Sequence, residues 1–204
     1  MTDDKCDISS FIEGLNEPEQ PDFEKKALPT ILQTETAPSA LFKVEKLQLQ
    51  FRNGEQRQYE RIKGSVVGAV IVVAMLDDKN FILIREYACG LHRYELGLPK
   101  GRLEPGEDVL AGANRELMEE TGFGAHDLQE VNILSLAPGY MAHCTHIVIA
   151  KNLYVKKLPG DEPEPIDVYR WSLANLHELA QRSDCTEGRT LAALYLIRDL
   201  LRSA

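Results

Sequence analysis

Apolar residues in this chain recur with two different periods, and the switches between them divide it into elements. Phe42, Val44, Leu47, Leu49 and Phe51 alternate with polar neighbours, Asn53-Gly54 follows, and Tyr59 resumes the pattern. This predicts an antiparallel β-hairpin over 42–61, turning at Asn-Gly as type I′. Residues 66–76 are nearly all apolar and rich in β-branched side chains, as in a strand buried on both faces. Turn residues at 77–80 and apolar residues at 81–84 predict a second strand adjacent to it. Extended segments at 94–98, 131–136, 146–150 and 168–171 complete the predicted strands.

The helical period appears in three places. Residues 108–120 are rich in Ala, Leu, Met and Glu without proline, and Thr121-Gly122 supplies a stop. Ser172 can cap a helix over 173–180, and leucines at helical spacing predict another over 191–201. Trp171 reads as packing. Residues 1–29 are polar and acidic, with three prolines and no sustained period, which predicts an extension that is flexible or orders only on a partner subunit. The expected division is an extension over 1–28, a hairpin element over 29–63 and a main domain over 64–204. Strands with helices on two sides make this an α/β fold, a mixed sandwich preceded by an N-terminal antiparallel β-hairpin.

With 204 residues, 44% of them hydrophobic, one substantial core can form. The net charge of -9, with no basic block, argues against nucleic acid or a membrane surface as the main partner. Cys6, Cys89, Cys144 and Cys185 form no CxxC pair, so reduced thiols and a cytoplasmic location are expected. No signal peptide is visible, and no apolar run has transmembrane length.

The chemistry concentrates in 101–123. Glu116, Glu119 and Glu120 stand at spacings of three and four, so like charges share one helix face. They also crowd the last turn, where the helix dipole disfavours anions. Such a face is either solvated or a site for a divalent cation, since several carboxylates with positions left for water and phosphate suit Mg²⁺, or alternatively Mn²⁺.

With its gaps, the stretch reads Gly101, five residues, Glu107, seven residues, then Arg115-Glu116-Leu117-x-Glu119-Glu120-x-Gly122-Phe123. It resembles the signature box of the Nudix hydrolases, with every specified position filled. The resemblance implies an α-β-α sandwich with a mixed sheet and a metal and pyrophosphate site. Glu116 and Glu120 would be the main metal ligands, Glu119 a further ligand or base, and Arg115 would tie to Glu107. Gly101, Glu107 and Gly122 would be structural.

Flanking residues resemble the ADP-ribose pyrophosphatase branch: Leu98-Pro99-Lys100 before the box, Leu83-Ile84-Arg85-Glu86-Tyr87, and Pro138 fifteen residues beyond Phe123. Tyr140 matches a tyrosine of the dinucleoside polyphosphate hydrolases. The resemblance implies Mg²⁺-dependent hydrolysis of ADP-linked compounds (ADP-ribose, diadenosine polyphosphates, NADH as a further candidate) with release of AMP, by a homodimer whose hairpin contributes to the partner's site. Arg61, Arg85, Glu95, Lys100, Pro138 and Tyr140 are the candidate substrate-binding residues. Alternatives are a nucleotide-sugar pyrophosphatase of the GDP-mannose type and a non-catalytic ADP-ribose sensor.

Three positions depart from the branch. Gly97 stands where a glutamate precedes Leu-Pro, with Glu95 two residues earlier. Ala88 replaces an arginine. His143 occupies the place of a catalytic loop glutamate, with no acid between Leu136 and Ala150. The base is therefore expected to be Glu119, ahead of Glu162 or Glu164 of the acidic loop, with His143 weighted lower.

Overall fold

The computed structural model describes residues 30–37, 42–64 and 68–203; the extension over 1–28, Cys6 and the start of the apolar run at Val66 lie outside them. The chain divides into two compact units, one containing Lys46–Tyr59 and the residues up to Glu35, the other Thr36–Glu45 and Glu60–Ala204.

Strands β1 (Thr30–Ala37), β2 (Lys43–Gln50) and β3 (Gln56–Lys63) form a three-stranded sheet in the order β1-β2-β3. The expected hairpin is β2-β3; β1 adds a strand that the alternation did not announce, since Ile31 and Leu32 are both exposed. Its turn differs from the expected type I′. The Gly54 amide donates to the Phe51 carbonyl at 2.9 Å, which puts Arg52 and Asn53 at the turn's centre. A type I′ turn needs positive φ at both central residues. Gly54 alone in this turn has positive φ, at 86°, and it follows the centre, so the loop is a wider one closed by Phe51 N–H to Glu55 carbonyl at 2.8 Å.

The second unit has two sheets. The four-stranded one has the order β7-β4-β9-β8, from β4 (Ala69–Ala74), β7 (Lys100–Arg102), β8 (Phe123–Ser135) and β9 (Cys144–Val155). It is mixed: β4 and β9 are parallel, while β4-β7 and β8-β9 are antiparallel. The three-stranded sheet is antiparallel, with β5 (Asn80–Ala88) between β10 (Asp167–Ser172) and β6 (Arg93–Gly97). Successive strands β4 and β5, expected as neighbours, meet only at the Met75–Phe81 bridge and then part into different sheets. A tight turn at Asp77 joins them, its carboxylate accepting from the amides of Lys79 and Asn80.

Every residue of β4 is buried, and its two faces serve two cores. Val70, Val72 and Ala74 pack with Ala113 and Leu117 of helix α1 (Val109–Thr121). Ile71, Val73 and Met75 pack with Leu179 of α2 (Leu176–Ala180) and with Leu194 and Ile197 of α3 (Gly188–Ser203). A helix on each side of a mixed sheet is the expected sandwich. The helix expected over 173–180 begins as one 3₁₀ turn capped by Ser172. Trp171 packs against the second core and donates its Nε1–H to the Asn175 carbonyl. Among the described residues no helix is long and apolar enough to cross a membrane.

Candidate active site

Helix α1 carries the acidic face. Asp108 caps it, its carboxylate accepting from the amides of Leu110 and Ala111 at 3.0 and 3.1 Å, and Gly122 ends it at φ 78°. Glutamates in its last turn are tolerated because residues after β9 supply positive groups to its exposed carbonyls. Lys157 Nζ donates to the Glu119 carbonyl at 2.5 Å, Leu158 N–H to that of Met118 at 3.3 Å, and Lys156 N–H to that of Gly122 at 2.9 Å.

Arg115 organises one half of the site. Its Nε and Nη2 donate to the two Glu107 oxygens at 2.8 and 3.0 Å, and Nη1 donates to Glu116 and Glu119, each at 2.8 Å. The Glu107 partnership holds Arg115 protonated well beyond its ordinary range, and Arg115 in turn lowers the Glu107 pKa. Glycine at 101 makes room for the Glu116 carboxylate, which a Cβ there would overlap and push aside.

The other half is anchored by Glu120, of which only 6% is exposed. The Lys100 amide of β7 donates to Glu120 Oε2 at 2.8 Å, so strand pairing between β7 and β4 fixes where this carboxylate lies. Glu86 of β5 and Glu162 of the loop over 156–166 join it, with one oxygen from each of the three within 4.8 Å of the others. Burial pushes Glu120 up to about 8, with Glu86 and Glu116 adding to the rise and Lys100 opposing it. Glu116 and Glu162 are also raised, in each case first by burial. Lys100 Nζ is ion-paired with Glu86. Beside this cluster a cavity of about 220 Å³ is lined by Glu86 and Glu162 with Arg85, Tyr87, Tyr94 and Pro165.

A family model described as the NUDIX domain matches residues 66–191, more than half of the chain. The chain belongs to the Nudix hydrolase family. A second model, the NudE-type Nudix hydrolase N-terminal domain, matches residues 29–61. The chain is 49% identical over 175 residues to the ADP compounds hydrolase NudE of Escherichia coli (strain K12), covering 85% of this chain and 94% of that one. It is 30% identical over 148 residues to the ADP-ribose pyrophosphatase of Bacillus subtilis (strain 168), covering 72% and 79%. A solved crystal structure of an ADP compounds hydrolase superposes with a TM-score of 0.82 at 48% identity, covering 87% of this chain and 96% of that one.

In this Nudix hydrolase, Arg115, Glu107, Glu116, Glu119 and Gly101 meet as the box spacing implied, and Glu120 and Lys100 stand together beside them. The remaining candidates have partners of their own. Arg85 bonds Asp184 at 2.9 Å and lies over the Tyr169 ring. Arg61 bonds Glu45 at 2.8 Å. Glu95 accepts from the amide and hydroxyl of Thr186 and from Arg93, and thus ties β6 to the segment that starts α3. The Tyr140 carbonyl accepts from the Ile62 amide at 2.8 Å, which fixes the loop bearing Pro138 while its ring stays exposed. His143 is paired with Thr145, and burial followed by Arg189 holds its pKa below the ordinary value.

Glycine at 97 also has a reason here. A Cβ would lie 3.3 Å from the hydroxyl of Thr190, a fully buried residue of α3, so any side chain here would press Thr190 aside by a few tenths of an ångström. Glu86 is the site residue that sequence reasoning missed. The available signal was a carboxylate directly following Arg85 on a strand whose end matches the branch.

Proposed function

We propose that the chain hydrolyses the pyrophosphate bond of ADP-linked compounds, releasing AMP, with Mg²⁺ or Mn²⁺ as cofactor. The observation that carries this reading is the convergence of Glu86, Glu120 and Glu162 from a strand, a helix and a loop, with Glu120 buried. Mutually repelling carboxylates of this kind, all hard oxygen donors, fit a divalent cation. Glu116, Glu119 and Glu120 would hold it, with Glu86 and Glu162 alongside. When bound, it supplies positive charge to the phosphate oxygens as negative charge develops there.

The chain's own residues divide the remaining work. Arg115 orients the carboxylates of Glu116 and Glu119. Two carboxylates compete for the role of base. Glu119 is held by Arg115, whereas Glu162 makes no hydrogen bond among the described residues and burial raises its pKa, which favours Glu162 as acceptor of the water proton. The cavity beside the cluster offers Arg85 and Tyr87 to the nucleoside part of the substrate, and Lys100, ion-paired with Glu86, would face the phosphates. ADP as the shared moiety is supported by the activities for which the relatives are named. A cytoplasmic homodimer, with the 42–61 hairpin reaching the partner's site, completes the reading; light scattering that reports a fully active monomer would refute the dimer.

The direct test is a substrate panel with Mg²⁺, products separated by chromatography. ADP-ribose, a diadenosine polyphosphate and NADH should each yield AMP. Faster release of GMP from GDP-mannose would make the chain a nucleotide-sugar enzyme, and tight ADP-ribose binding without turnover would make it a sensor.

A further inference from the structure

Residues 159–166 lie between two anchors, the contacts of 156–158 with the end of α1 and the pairing of Asp167 with Arg85 at the start of β10. Within that span, the single hydrogen bond among the described residues is the one Tyr94 Oη donates to Glu164 Oε1. The span also carries Glu162, set against the like charges of Glu86 and Glu120 and next to Asp161. Repulsion alone would swing such a loop outward. Tyr94 itself is held on β6 with its ring edge-on to Tyr87, centroids 5.9 Å apart, yet it is half exposed, so core packing does not account for it.

We propose that Tyr94 is a positioning residue, whose hydroxyl latches the acidic loop through Glu164 and so sets Glu162 against Glu86 and Glu120. This rests on the reading of Glu162 as base given above. Tyr94 touches neither the reacting atoms nor Glu162 in this scheme. It acts by restricting where the loop can go, and misplacement of a reacting group by about an ångström is enough to cost rate.

The test uses the full chain with ADP-ribose and saturating Mg²⁺. Tyr94→Phe and Glu164→Ala should each lower kcat about tenfold with KM changed less than about twofold, as expected for losing one hydrogen bond to a charged acceptor that holds a reacting group. The double variant should be no worse than either single one. Glu164→Gln, which still accepts from the hydroxyl, should recover most of the lost rate. Independently of activity, the backbone amides of Gly160, Asp161 and Glu162 should exchange hydrogen several-fold faster in Tyr94→Phe than in the wild type. Unchanged kcat, a rise in KM alone, or additive losses would overturn the latch. Wild-type protein inactive on every ADP compound would instead sink the functional reading, and the hydrogen-exchange comparison would still decide the latch.

Discussion

The two halves of the carboxylate site carry similar charge and are treated oppositely. Around Arg115, three glutamates receive four N–H donors from one guanidinium, and a fixed planar fork satisfies them all at 2.8 to 3.0 Å. Around Glu120, three glutamates face one another with a single lysine, itself paired to Glu86. Glu120 takes one backbone amide, and its charged form is so disfavoured by burial that its pKa rises to about 8. One half is completed by the chain, and the other is shaped for something the chain does not supply. The arginine half therefore reads as the frame that holds Glu116 and Glu119 in place for the cation, and the Glu120 half as the part of its seat where the chain leaves positive charge lacking.

Substitutions that break this contrast should rank accordingly. The largest effect is expected from Glu120→Gln, which should lower kcat about a hundredfold or more, since several kcal/mol of charge stabilisation depend on the cation. The assay is steady-state hydrolysis of ADP-ribose at saturating Mg²⁺, and a rate near that of the wild type would remove Glu120 from the site. Arg115→Ala should act on both counts, leaving three carboxylates without their cation. Chemical denaturation should find the fold weakened by up to about 3 kcal/mol, the scale for breaking a partly buried ion pair, and Arg115→Lys, which keeps the charge but lacks the planar fork that reaches three carboxylates, should fall between.

Gly101→Ala comes next. Its methyl group displaces the Glu116 carboxylate, so activity should drop about tenfold while stability falls by only about 1–2 kcal/mol, as for modest overpacking. Equal activity in the two proteins would mean that the position of Glu116 is unimportant.

The smallest effect is one of pH on the cation-free protein. Glu120 binds its proton more tightly folded, near 8, than at its ordinary value of 4.5. The folded state therefore binds more protons within that window, and its stability should decline as pH rises from about 4.5 to about 8 and level off above. Thermal melting in chelator should find this slope in the wild type and a reduced one in Glu120→Gln.

The half framed by Arg115 was legible in the sequence because its members lie within one helix and the turn before it, where spacing alone dictates proximity. The ends of α1, near 108 and at Gly122, and the two buried faces of β4 were legible for the same local reason. Glu86 was not, because its neighbour Glu120 is reached through the β7-β4 pairing and through β5, which runs on past its apolar core into polar residues. Strand β8 was half seen: its register shifts between Glu130 and Asn132, and polar His126, Asp127 and Gln129 hide the earlier half from any hydrophobic pattern. The Asn-Gly turn misled because the dipeptide suits two loop types, and only the backbone distinguishes a glycine within the turn's centre from one after it.

The central claim is that the Glu120 half seats a divalent cation, and Mn²⁺ titration followed by electron paramagnetic resonance tests it without substrate. Wild-type protein should take up Mn²⁺ and melt at a higher temperature with it, whereas Glu120→Gln should bind at least about tenfold more weakly, the scale for losing a ligand or its support, and gain little thermal stability. Equal Mn²⁺ affinity in the two proteins, or no uptake by the wild type, would contradict the account.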